Sequence, residues 1–283
     1  MSAPTVPEKK IEIGRRSPGS TGGVPARVSV ARRVGWALSG VLVRSIAILV
    51  LLAGWEFAPA VGLVDSTFLP PFSEVVVELG ELIGNGQLLQ HVQASLTRSL
   101  SGFGIAVAIA VPLGIVIGWY KVISDVLTPL VQLFLNTAAL ALLPVFVLLL
   151  GIGETSKIAI VVYACTWPIL LNTITAVRNV DPILLKLGRS LNLPPLTLFG
   201  KVVLPASIPT IFTGLRLAGA AAIVVVIAAE MVGAKAGLGF LINDAQYNFA
   251  VPSMYAGIVT IAVVGVGFNQ LLVGVERRLT RWQ

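Results

Sequence analysis

Charge is scarce in this sequence. Asp, Glu, Lys and Arg make up 12% of 283 residues, whereas a water-soluble domain carries about 25%. Aliphatic, aromatic and cysteine side chains supply 56%, and the mean hydropathy is +0.92. One water-facing core cannot bury that much apolar surface, so the chain takes lipid as its solvent. Cysteine and histidine occur once each, as Cys165 and His91, which excludes a disulfide scaffold and leaves no metal constellation or nucleophile–base pair around either. Core packing accounts for Cys165 and an interface at the outer face for His91. The low charge also excludes long disorder over most of the chain. The phosphate cradle Gly-x4-Gly-Lys-Ser/Thr is missing: Gly200-Lys201 has neither the upstream glycine nor the downstream hydroxyl. A Ser/His/Asp set, a His-Glu-x-x-His pair and paired intramembrane carboxylates are missing too, which argues against an enzyme.

What is present is long apolar runs. Arg98 to Lys121 encloses 22 uncharged positions, Asp125 to Glu154 encloses 28, Lys157 to Arg178 encloses 20 and Asp244 to Glu276 encloses 31. A helix needs about 20 apolar residues to cross a bilayer. Two more apolar stretches contain ionisable groups, 42–64 with Glu56 and 207–230 with Arg216 and Glu230. The expectation is an all-α membrane protein of about six spans, near 42–64, 94–118, 127–150, 158–177, 207–230 and 254–275. The runs lack the alternation of barrel strands.

Residues 1–40 are polar, rich in Pro, Gly and Ser, and hold Lys9, Lys10, Arg15, Arg16, Arg27, Arg32 and Arg33. They read as a disordered basic cytoplasmic tail, not a signal peptide, preceding a transmembrane domain over 41–283. The net charge of +7 therefore sets orientation and does not mark a nucleic-acid binder. With the tail inside, six spans also place Lys121, Arg178, Lys186, Arg189, Lys201, Arg277, Arg278 and Arg281 inside, and both termini are cytoplasmic. Only Arg98, Lys157 and Lys235 fall near the outer face.

Two connectors have shape. In the outer one, Ser73 is placed to cap a helix with Glu74, Glu78 and Glu81 on one face and Val75, Leu79 and Leu82 on the other. Gly84-Asn85-Gly86 stops it, and an amphipathic helix on the membrane surface results. The other, 178–206, lies in the cytoplasm. Asp181 caps it, Pro182 opens it, and Ile183, Leu184, Leu187 and Leu191 form one stripe. Asn192 takes the left-handed stop and Pro194-Pro195 forbid continuation. A second piece, Leu196 to Val203, is expected to end at Leu204-Pro205 before the next span. An exposed apolar stripe on a connector this long asks for a partner.

Arg189-Ser-Leu-Asn192 followed by Leu204-Pro205 resembles the signature loop of the permease subunits of bacterial ABC importers. In that family the pattern is Glu-Ala-Ala, three residues, Gly, nine residues, an aliphatic, any residue, Leu-Pro. Here Lys186, Leu187 and Gly188 stand at Glu-Ala-Ala, Asn192 stands at Gly, and Val202, Leu204 and Pro205 match in register. Thr67-Phe-Leu-Pro-Pro, Gly151-Ile-Gly-Glu-Thr-Ser-Lys157, Thr213-Gly-Leu-Arg216, Ala229-Glu-Met231 and Gly237-Leu-Gly-Phe240 resemble the nitrate, taurine, aliphatic sulfonate and bicarbonate branch. The branch's Arg-Pro-Val-Pro stretch and following Trp are replaced by Asn136-Thr137-Ala138-Ala139 and Leu142, with Pro144 kept.

The resemblance implies a type I ABC importer permease in the bacterial inner membrane, moving a small anionic solute. It implies two permease copies, with identical ones favoured, two cytoplasmic ATPases and a periplasmic or lipid-anchored solute-binding protein. ATP and magnesium belong to the ATPase, and no cofactor is expected on this chain. Leu187, Gly188, Arg189, Leu191, Asn192 and Leu193 are then the expected ATPase-coupling contacts. Gln132, Asn136 and Thr137 in span three, and Thr166, Asn172, Thr173 and Thr175 around Pro168 in span four, are candidate pathway residues. Hydrogen bonding between helices is the competing reading for all seven. Glu56 is open between a protonated role and a bond to another span, Glu230 between water and Lys235, and Arg216 between snorkelling and an inner gate. A self-powered carrier or channel is the rival, which paired broken helices or repeats with coupled charges would support; the sequence offers neither.

Overall fold

The computed structural model describes residues 46–280, and every regular element within them is helical. The expected basic tail, residues 1–40, lies outside the described residues. Two units meet between Ala53 and Gly54. The first contributes only residues 46–53, an exposed apolar helical stretch with Leu49, Val50 and Leu51 all more than 60% exposed. The second holds the rest.

The helix beginning there is α1 (Ile46–Ala60). It is followed by α2 (Phe72–Gly84), α3 (Gln87–Trp119), α4 (Lys121–Leu135), a 3₁₀ turn at Ala139–Leu142, α5 (Leu143–Leu150) and α6 (Glu154–Arg178). Then come α7 (Pro182–Ser190), α8 (Pro195–Leu198), a π turn at Phe199–Val203, α9 (Leu204–Glu230), α10 (Leu238–Tyr247) and α11 (Val251–Leu279). Four helices are long and apolar enough to cross a membrane, or five if the bent pair α4–α5 is one span. Four of the six expected spans, 94–118, 158–177, 207–230 and 254–275, thus lie within α3, α6, α9 and α11, each longer than its apolar stretch.

Lipid tails are as apolar as leucine, so helices associate in a membrane through close packing, and small residues permit it. Gly102, Ala106, Ala110, Gly114 and Gly118 recur every four residues along α3, and all are buried. A Cβ at Gly102 would lie 2.6 Å from Val161 Cγ1, at Gly114 2.7 Å from Thr173 Cβ, and at Gly118 2.9 Å from Val177 Cβ. The matching increments make α3 and α6 parallel neighbours with almost no gap. On its other side α6 runs antiparallel to α9: Gly214 abuts Asn172, and the Cys165 thiol donates to Ala218 O at 3.3 Å. This accounts for Cys165 as packing. Helix α11 then closes on α9, where Phe268 and Leu272 fill the space left by Gly219.

The expected continuous span 127–150 is broken. Helices α4 and 139–150 are bent by 79° across Asn136–Ala138. Asn136 Nδ2 donates to Gln132 O at 2.9 Å and Thr137 Oγ1 to Leu133 O at 3.1 Å. Gln132 O also keeps its helical bond from Asn136 N, whereas the Thr137 N–H closes early on Phe134 O, so Thr137 Oγ1 takes the Leu133 carbonyl that the break frees, which makes the break tolerable inside lipid. Pro144 sits in the first turn of α5, where no intrahelical N–H is needed.

A second correction concerns Leu204-Pro205, which does not separate a loop helix from the next span. Pro195–Glu230 runs as one 36-residue helix. Proline clashes with the carbonyl four residues earlier; the π turn at Phe199–Val203 widens the ladder around Lys201, the carbonyl that Pro205 faces.

Helix α2 starts after Pro71, and Ser73 is not its cap. Ser73 donates its N–H and its hydroxyl to the two Glu56 carboxylate oxygens, each at 2.9 Å. Glu56 therefore satisfies the start of α2 from another helix, which answers its place in an apolar stretch. The expected apolar face is there, but Val75 and Leu82 are buried against Leu238, Leu241 and Ala256 of this chain instead of lying on the membrane surface, and Glu78 accepts from Ser253 at 2.6 Å, fastening α2 to α11. In the turn before α2, Thr67 N donates to Asp65 Oδ1 at 2.8 Å, which holds that carboxyl below its ordinary value.

Candidate functional site

Three places gather the chemistry of this chain. The first is α7. Asp181 Oδ1 accepts the Ile183 N–H at 2.8 Å, the expected cap. Asn192 has φ 51°, and Leu193 N closes on Gly188 O at 3.2 Å, the bond of a left-handed helix stop. Leu185 points inward to Val177, Val180 and Val203, anchoring α7 on the ends of α6 and α9. Ile183, Leu187 and Leu191 are 72%, 57% and 65% exposed, and Leu184 is 40% exposed. The expected stripe is real, and nothing among the described residues covers it. Gly188 belongs elsewhere. It is buried under Leu198 of α8, so that even a methyl group there would overlap the Leu198 Cδ1. Its expected contact with a partner is corrected to an internal one, and Leu193 is half-buried beside it.

The second place is mid-way along α6. Thr166, Asn172, Thr173 and Thr175 each donate to the carbonyl four residues earlier in α6, at 2.7–2.8 Å. Among the described residues these four side chains make no hydrogen bond to another helix, the competing reading. Thr173 is fully buried against Gly114 and is removed from any passage; Asn172 lies against Gly214, and Thr175 is exposed. Asn136 and Thr137 line a hollow of about 340 Å³ between the break in α4–α5, α6 and α9. Thr166 lines a second one of about 600 Å³ along α3, α5 and α6. Gln132 is exposed and lines neither. Both hollows share two residues the sequence reading missed, Tyr163 and Trp167. Their ring centroids lie 5.6 Å apart edge to face, and Phe134 stacks on Trp167 at 4.6 Å. Two aromatics with polar tips, one turn apart beside Pro168, were the available signal.

The third place joins the start of α6 to the end of α9. Arg98 is 5% exposed and holds Glu154 through Nε at 2.5 Å and Nη2 at 2.7 Å. Its Nη1 donates to Glu230 Oε1 at 2.7 Å and to Ala236 O at 2.6 Å. Glu230, 1% exposed, also accepts from Ser95 Oγ at 2.8 Å and from Gly239 N at 3.0 Å. It does not reach water or Lys235, the two options its sequence position suggested. The 237–240 stretch is glycine-rich for a steric reason: a Cβ at Gly237 would overlap the Glu230 carboxylate, and one at Gly239 would overlap Ile227 O. His91 Nδ1 accepts the Gly237 N–H at 3.1 Å, a closing bond in the same cluster. Arg216 pairs with Glu276 of α11 at 3.1 Å. At the α7 end, Arg178 pairs with Asp125 of α4 at 2.9 Å.

A family described as the binding-protein-dependent transport system inner membrane component matches residues 110–281. A probable ABC transporter permease of Brucella abortus (strain 2308) is 35% identical over 246 residues, 87% of this chain and 97% of that protein. The putative aliphatic sulfonates transport permease SsuC of Bacillus subtilis (strain 168) is 31% identical over 282 residues, 100% of this chain and 96% of that protein. The taurine transport system permease TauC of Escherichia coli (strain K12) is 33% identical over 253 residues, with 87% and 92% covered. Among solved structures, an inward-facing form of a methionine ABC transporter superposes with a TM-score of 0.58 at 18% identity, over 69% of this chain and 96% of that one. At that identity the likeness is one of fold.

Proposed function

This chain belongs to the family of inner membrane components of binding-protein-dependent transport systems, and from that premise we propose how it works within an ATP-driven importer. It is a multi-pass permease subunit of the inner membrane. Our reading gives it six spans, namely α1, α3, the broken α4–α5 pair, α6, α9 and α11, with both termini and α7 in the cytoplasm. The excess of Lys and Arg on the α7 side supports that orientation.

The observation that carries the mechanism is the uncovered stripe Ile183, Leu184, Leu187 and Leu191, on a helix capped at both ends and anchored through Leu185. An amphipathic helix of this kind fits a groove on another protein. We assign that groove to a cytoplasmic ATPase, two of which serve two identical permease copies. ATP and its magnesium are bound there. Leu187 and Leu191 fill the groove, Arg189 lies on the same short helix, and Gly188, Asn192 and Leu193 fix its shape. Because Gly188 packs on Leu198 and α8 runs unbroken into α9, a push on α7 reaches a 36-residue lever directly. Closing of the ATPases then rocks the spans between two states. The cargo is a small oxyanion-bearing solute, of the sulfonate, taurine or nitrate kind named for the relatives, delivered by an external binding protein.

The broken α4–α5 span is the one feature that favours a self-powered carrier. Purified chain, ATPase and binding protein in proteoliposomes separate the two. A catalytic lesion in the ATPase is expected to abolish uptake; undiminished uptake with that lesion supports the carrier.

A further inference from the structure

We propose that the Tyr163–Trp167 edge of α6 is a transient binding site for the oxyanion group of the solute. This deepens the importer reading and rests on it for the direction of flow. Tyr163 Oη and Trp167 Nε1 are buried and have no hydrogen-bond partner among the described residues. A buried donor left unpaired costs about 1–3 kcal/mol, and native proteins keep few of them. Their neighbours show the contrast: Thr166, Asn172, Thr173 and Thr175 all close onto their own helix. The two aromatic donors are too rigid to fold back in that way, so their partner comes from outside the helix.

Tyr163 and Trp167 line two hollows, and because neither donor atom is exposed in this structure, the solute meets them as the rings turn. The hollow at the α4–α5 break holds about 340 Å³ and the one along α3 and α5 about 600 Å³, within the range of small-ligand sites. Neither is lined by a charged side chain. This chemistry selects. An indole N–H can only donate, so a cation finds ring faces there but no counter-charge. A phosphate dianion would need arginine or lysine to repay its desolvation. A sulfonate or nitrate spreads one charge over several oxygens and is satisfied by neutral donors. Phe134, Phe146, Val162 and Leu217 offer apolar wall for a short carbon body. Two neutral hydrogen bonds, each about 1 kcal/mol net, hold such a group only briefly, as passage requires.

The test uses the complete importer in nanodiscs with 5-fluorotryptophan, the Trp167 resonance being assigned by its loss in Trp167→Phe. Ethanesulfonate and nitrate are the anionic probes and choline the cationic control. The anions are expected to shift the Trp167 resonance saturably, and choline, which meets ring faces but no counter-charge, much less. Tyr163→Phe should raise the midpoint about fivefold, the equivalent of about 1 kcal/mol. Tyr163→Phe also removes an unpaired hydroxyl, so the thermal midpoint of the empty protein should hold or rise; a hydroxyl with a structural partner would lower it. In proteoliposomes, Tyr163→Phe/Trp167→Phe should cut uptake about tenfold or more. No shift with either anion, or equal shifts with choline, overturns the site. ATP-dependent uptake undiminished in the double variant also overturns it while leaving the importer reading intact. Uptake indifferent to the ATPase lesion removes the importer reading but leaves a saturable anion shift standing.

Discussion

Around Arg98 three helices and one connector meet through charge, and each group there is used: the guanidinium makes four short contacts to Glu154, Glu230 and Ala236, and Ser95 and Gly239 take up the remaining capacity of Glu230. Around α7, at the opposite end of α6 and α9, the groups left over are apolar and face outward. Ile183, Leu187 and Leu191 are each more than half exposed on a helix whose own backbone is fully capped. A buried ion pair specifies one arrangement and punishes any other, because separating the charges leaves one of them stranded. An exposed apolar stripe tolerates either state until something binds it. One end of the bundle therefore holds the helices in a fixed relation, and the other is built to be moved.

Breaking the fixed end should have the largest effect. In Arg98→Met, Glu230 keeps its burial but loses its counter-charge, and stability should fall by about 3–5 kcal/mol. The measurement is the thermal unfolding midpoint in detergent together with the yield of monodisperse protein. Arg98→Met/Glu230→Gln should recover most of that loss. The neutral amide can still accept from Gly239 N and Ser95, while Glu154, with 62% of its side chain exposed, turns to water. If Arg98→Met is as stable as the parent chain, the cluster is not a clasp, and the contrast between the two ends fails.

At the movable end the same logic predicts a variant that folds and does not work. Leu191→Asp places a charge on a surface already 65% exposed, so its unfolding midpoint should stay within about 0.5 kcal/mol of the parent. Solute-stimulated ATP hydrolysis by the reconstituted importer should drop about tenfold or more, since truncating or charging an anchor at the centre of an interface costs at least about 1.4 kcal/mol. Retained stimulation would move the contact to another surface and leave the stripe unexplained.

Much of this was legible in the sequence, and what was missed follows a pattern. Gaps between charges find apolar helices because bilayer thickness sets their length, and Asp181, Pro182 and Asn192 announce the two ends of α7 because capping is a local affair. The break at Asn136–Ala138 was missed because hydropathy counts apolar residues without direction, and a bend costs nothing in that count. The continuity of α8 with α9 was missed because Pro205 reads as a stop unless a π turn relieves its clash. Arg98 and Glu230 are 132 residues apart, and no local period connects them. Gly188 was grouped with its exposed neighbours because helical spacing says which residues share a face, not that Leu198 returns to cover one of them. Tyr163 and Trp167 were not singled out because an unpaired donor is visible only once its surroundings are in place.

The smallest effect belongs to Asn192, where the family motif has glycine. Its φ of 51° is a conformation that costs most residues about 1–2 kcal/mol and asparagine and glycine little. Asn192→Gly should therefore be nearly silent, and Asn192→Ala should loosen the bond from Leu193 N to Gly188 O by about 1 kcal/mol. Because α7 opens locally, the loss should register less in global unfolding than in hydrogen exchange at the Leu193 amide, faster by about fivefold in Asn192→Ala. A rigid stop is what lets a short helix transmit a push and not absorb it, so Asn192→Ala should also weaken solute-stimulated ATP hydrolysis slightly, in step with the lost protection. Faster exchange with undiminished stimulation would show that the stop shapes α7 without stiffening it, and the lever would then have to act through Leu185 and its anchor on Val177, Val180 and Val203 alone.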